Sequence, residues 1–122
     1  YLNVNHIEYF MKEINSYIDH TILKPTTLVT DIEKLCTEAK QYSFAAVCVP
    51  PNFVRKAKSL VEGSGVKVAT VIGFPFGYAA VEAKISEIVL AMVDGVDELD
   101  VVINISAIKN GDWVYLANEI NH

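Results

Sequence analysis

The sequence predicts an α/β fold of parallel strand–helix units, on three observations. Short apolar runs alternate with amphipathic stretches four times in 122 residues. The runs are apolar almost throughout, as in strands covered on both faces, rather than at every second position. Proline and glycine punctuate the segments at Pro25, Pro50, Pro51, Gly73 and Gly95, where ladder donors end or a left-handed backbone is needed.

Taken in order, Asn5 and Glu8 have capping spacing, and Ile7, Phe10, Met11 and Ile14 repeat as one helical face, giving a leading helix. Tyr17 to Leu23 is short, β-branched and aromatic, and ends before Pro25, so it reads as the first strand. Thr30 and Glu33 form a T-x-x-E capping box for a helix whose inner face is Ile32, Leu35, Cys36 and Ala39. Ala45 to Val49 is the second strand, closed by two prolines. Asn52 opens the next helix, with Phe53, Val54, Ala57, Leu60 and Val61 inside, and the glycines of EGSG end it.

Val66 to Ile72 is the third strand, followed by the loop GFPFG at Gly73 to Gly77. Its two glycines suit a backbone that a ligand approaches closely, or simply a tight loop. Val81, Ile85, Ile88, Val89 and Met92 outline a third helix, stopped by Gly95. Glu98 to Ile105 is the fourth strand, Asn110-Gly111 a turn, and Asp112 the N-cap of a last helix through Trp113, Leu116, Ala117 and Ile120.

Such units build either an open doubly wound sheet or a (β/α)₈ barrel of about 250 residues. Side chains alternate across a strand, so Asp100, Val102 and Asn104 share one face and Val101, Ile103 and Ile105 the other. In the first strand Asp19 and Thr21 oppose Ile18, His20 and Ile22. Carboxylates on a helix-covered face would be buried without partners, which is costly. On a barrel's inner face, near strand C-terminal ends, they build a site. Parity therefore favours parallel (β/α) units of a TIM barrel, about four of the eight, in one domain spanning 1–122. Each residue also has a plainer reading: Asp100 as a solvated strand-start residue, Asp19 as a turn or Asx cap, His20 as packing under a helix.

Composition narrows the function. A net charge of −5 with no basic stripe argues against nucleic acid and membrane surfaces as partners. The apolar stretch near Ile85 to Val93 is interrupted by charge, and the start lacks a secretory pattern, so a cytoplasmic protein is expected. Cys36 and Cys48 have neither metal-knuckle nor disulfide-framework spacing. Neither G-x-G-x-x-G nor a Walker pattern is present. Position 1 is Tyr rather than Met, and LANEINH stops inside a helical pattern, so the chain is expected to be cut from a longer one.

Four segments, YIDHTILKP, FAAVCVPPNFV, VATVIGFPFG and DELDVVINISAIKNGD, in this order and spacing, resemble the N-terminal half of deoxyribose-phosphate aldolase. The resemblance implies a TIM barrel and a class I aldolase, which reversibly cleaves 2-deoxy-D-ribose 5-phosphate into acetaldehyde and D-glyceraldehyde 3-phosphate without metal or other cofactor. A lysine amine forms a Schiff base that acts as the electron sink. By position, Asp100 matches the proton donor or acceptor of the relay. Asp19 and Thr21 match residues lining the substrate pocket, and Cys48 a cysteine near the bound aldehyde. Lys24 inherits no role, and Val49-Pro50-Pro51 departs locally from a pattern with one proline.

The family's Schiff-base lysine lies on the sixth strand and its lysine neighbour on the seventh, beyond this sequence. The chain alone is therefore expected to be inactive, with phosphosugar and aldehydes as partners of the complete protein, which is expected to be a homodimer or other homo-oligomer. Two alternatives stand beside this: a non-catalytic half-barrel that self-associates, and a flavodoxin-like phosphometabolite-binding domain with helices on both sheet faces.

Overall fold

The computed structural model describes residues 14–122. The predicted leading helix over Ile7, Phe10 and Met11 lies outside the described residues. The strands are β1 (Asp19–Thr21), β2 (Ala46–Val49), β3 (Lys67–Ile72) and β4 (Glu98–Val101). All neighbours pair in parallel and in sequence order, β1-β2-β3-β4. The helices are α1 (Val29–Tyr42), α2 (Val54–Val61), α3 (Val81–Val93), α4 (Ile105–Lys109) and α5 (Trp113–Asn121).

The core lies on one side of the sheet. Ile32, Leu35, Cys36 and Ala39 of α1, and Val54, Ala57 and Val61 of α2, are buried against Val47, Val49 and Val68. These are the predicted inner faces. The opposite sheet face carries a small cluster of Cys48, Ala69 and Val71 with Leu23, to which no helix among the described residues contributes. Sequential strand order and helices on one face are the geometry of half a (β/α)₈ barrel. They do not form the two helical layers that a flavodoxin-like domain requires.

Several expectations are corrected. The start of α1 is not a Thr30–Glu33 box: Leu28 is the N-cap, and the Asp31 carboxylate accepts its N–H at 2.9 Å. Asn52 makes no cap; it lies in a 3₁₀ turn, Pro51–Phe53, ahead of α2, because two successive prolines delay the helix. The fourth strand ends at Val101 rather than Ile105. Asn104 leaves the sheet and caps α4, accepting from the Ala107 N–H at 3.1 Å. Asp112 caps α5 as predicted, accepting from the Tyr115 N–H at 3.0 Å.

The inner face of α3 is also different. Its buried residues are Lys84 and Ala91, while Ile85, Val89, Leu90, Met92 and Val93 are exposed. On α5 only Leu116 is buried, and Trp113 and Ile120 are exposed. Apolar content surrounds both helices, so periodicity cannot select a face; the sheet contacts do.

Interdigitated ion pairs tie the helices to the sheet's N-terminal edge. Asp97 accepts the Val68 N–H at 2.8 Å, and both its oxygens meet Lys58 Nζ of α2, at 2.6 and 2.7 Å. Burial alone would raise this carboxyl's pKa, but Lys58 and the Val68 amide outweigh it and hold it below the ordinary value.

Candidate functional site

Register brings the four sequence-predicted residues to one face. Asp19 lies opposite Ala46, which lies opposite Lys67; Thr21 lies opposite Cys48, then Ala69, then Glu98; Val71 lies opposite Asp100. In a parallel sheet such partners point the same way. His20, one residue off in parity, points to the helices: its ring bonds Glu38 of α1 at 2.8 Å and meets Phe44 edge-on at 5.3 Å between centroids. The plainer reading of His20 is therefore correct.

Asp19, Thr21 and Asp100 are exposed on the open inner face, and Cys48 is buried between the strands. Cys48 Sγ is 3.9 Å from Asp100 Oδ2. Burial pushes the Cys48 thiol up to about 11, and the negative Asp100 and Asp19 add to it. At neutral pH the sulfur is therefore a thiol, a small polarizable wall rather than a nucleophile. Asp19 is raised by burial first and then by the carboxylates of Glu98 and Asp100, with Lys67 opposing. A carboxyl such as Asp19, whose proton affinity is raised by burial and by neighbouring carboxylates, can hold and return a proton, which is the basis of acid–base work.

Sequence reasoning missed two cations. Lys67 shares the inner face, and its Nζ binds Glu98 Oε1 at 2.7 Å. That contact holds the ammonium above its ordinary pKa. Extending the parity rule to the third strand, Lys67-Ala69-Val71, would have found it. Lys84 is the second: 3% exposed, it pairs at 2.7 Å with Glu119, itself 5% exposed. No local signal joins two residues on separate helices.

The GFPFG glycines are needed by the packing of the protein itself, as a tight loop requires. A Cβ on Gly77 would overlap the Ile103 carbonyl oxygen, and one on Gly73 would come 2.8 Å from Lys84 Cε. Both residues also have positive φ, +69° and +65°. The loop after β3 is thus packed on the turn after β4, next to Asp100.

A chain sharing 49% identity over 115 residues is the deoxyribose-phosphate aldolase of Malacoplasma penetrans (strain HF-2), with 94% of this chain and 52% of that protein aligned. This chain is a relative of the N-terminal half of deoxyribose-phosphate aldolases. It spans about half the length of the curated aldolases it matches. Among solved structures, the aldolase QR15 superposes with a TM-score of 0.83 at 37% identity, covering 88% of this chain and 48% of that one. The tetrameric deoxyribose phosphate aldolase from Aeropyrum pernix superposes with a TM-score of 0.73 at 38% identity, covering 78% and 41%. No protein-family model matches the chain. Likeness to these aldolases agrees with the half-barrel read from strand order and helix placement. Among the described residues, no helix is long and apolar enough to cross a membrane.

Proposed function

We propose that the complete polypeptide carrying this chain is a class I aldolase that reversibly cleaves 2-deoxy-D-ribose 5-phosphate to acetaldehyde and D-glyceraldehyde 3-phosphate. Asp100 is the proton donor and acceptor, Asp19 and Thr21 line the substrate pocket, and Cys48 sits beside the bound aldehyde. The observation that carries this reading is the convergence of residues from β1, β2 and β4 on the sheet face that no helix among the described residues covers, with Cys48 Sγ 3.9 Å from Asp100 Oδ2. The named aldolase relatives support the substrate class. The Schiff-base lysine comes from outside this sequence, and the protein works in the cytoplasm, in keeping with two cysteines that form no disulfide.

Borohydride reduction in the presence of acetaldehyde tests it. The complete polypeptide is expected to gain a covalent adduct on a lysine outside these 122 residues, and this chain alone none. A reduced adduct on Lys24, Lys109 or any other lysine of this chain would overturn the assignment.

A second reading is favoured by the exposed Val89, Leu90, Met92 and Val93 of α3. A half-barrel with this uncovered surface pairs with a copy of itself, hiding apolar area and open strand edges. Sedimentation of the isolated chain decides: a discrete dimer favours it, a monomer excludes it.

A further inference from the structure

The buried pair Lys84–Glu119 makes three contacts at a single place. Lys84 Nζ donates to the Val102 carbonyl at 2.8 Å and to Glu119 Oε1 at 2.7 Å. Glu119 Oε2 accepts the Asn104 N–H at 3.3 Å. Residues 102–104 are the backbone immediately following Asp100 and Val101. The Val102 N–H continues the ladder by donating to Ile72 at 2.9 Å, so the turn is held from the sheet and from both flanking helices. Gly73 and Gly77 close the arrangement from above, each lacking the Cβ that Lys84 or Ile103 would meet.

A buried ion pair of this kind is weak evidence for stability, since apolar replacements of similar volume often do as well. What apolar residues cannot do is bond Val102 and Asn104. We propose that Lys84 and Glu119 are positioning residues for Asp100: they clamp the strand-end backbone so that its carboxylate stays directed at Cys48 on the inner face. The inference rests on the proposed aldolase reading for its consequence in catalysis, but the clamp itself is measurable without activity.

The test is the double substitution Lys84→Met/Glu119→Leu, with Glu119→Gln as a milder companion that keeps an acceptor for Lys84 and loses the one for the Asn104 N–H. Residue-resolved carbon NMR of Cys48 in the 122-residue chain reads the thiol midpoint, about 11 in the parent. With Asp100 freed to swing away, the midpoint is expected to fall by a shift comparable with that of Asp100→Asn, and less in Glu119→Gln. In the complete polypeptide, kcat is expected to fall about 100-fold, the scale of an ångström misplacement, with KM retained. A parent-like value in either readout, or no shift even in Asp100→Asn, overturns the proposal. If the unsubstituted complete polypeptide has no aldolase activity, the functional reading fails, and the Cys48 titration alone decides the clamp.

Discussion

Cys48 Sγ and Asp100 Oδ2, on strands separated by 52 residues of sequence, stand 3.9 Å apart across β3. The thiol and the carboxylate face the same uncovered surface. That relationship makes Asp100 the residue on which the functional reading turns.

Asp100→Asn preserves shape and removes the proton acceptor. In the complete polypeptide it is expected to lower kcat by about 10²–10⁴, the usual contribution of positioned acid–base catalysis. A steady-state assay of deoxyribose 5-phosphate cleavage measures this, and unchanged kcat would remove Asp100 from the chemistry.

Gly77→Ala should damage the fold where Gly63→Ala is mild. Both glycines have positive φ, but a Cβ at Gly63 meets nothing while one at Gly77 overlaps the Ile103 carbonyl. Backbone strain costs about 1–2 kcal/mol at either site, and the overlap adds to it only at Gly77. Urea denaturation of both variants gives the comparison; equal losses would show that the turn after β4 yields freely.

Stability should depend on pH through Asp97. Its folded pKa lies below the ordinary value, so its contribution is present above the unfolded carboxylate pKa and is lost as pH falls through the folded one. Asp97→Ala should therefore cost about 1–3 kcal/mol near neutrality, as for a lost charge-assisted hydrogen bond, and progressively less in acid. Thermal melts of parent and variant from neutral pH downward should converge.

Lys84→Met alone strands the Glu119 carboxylate in the interior and should cost about 3–5 kcal/mol. The double variant Lys84→Met/Glu119→Leu should recover most of that loss. Denaturation midpoints check it, and additive losses would mean that the two side chains are not coupled.

Lys67→Met should raise Asp19 further. Lys67 is the cation that opposes burial and the Glu98 and Asp100 charges at that carboxyl. NMR titration of Asp19 in the variant gives the direction, and a lowered midpoint would contradict the arrangement of the inner face.

The alternation of strands and helices, the buried faces of α1 and α2, the Asp112 cap and the shared parity of Asp19 and Thr21 were all determined by sequence alone, because periods of 2 and 3.6 and a capping side chain are local properties. Tertiary structure decided the rest. It set which side of α3 is buried, since that helix is apolar on several sides and only contact with the sheet distinguishes them. It moved Asn104 from strand to cap, and showed that the GFPFG glycines make room for Lys84 and Ile103. It also joined Lys84 to Glu119 and Cys48 to Asp100. Such pairings depend on register and on the approach of distant segments, and no spacing along the chain encodes them.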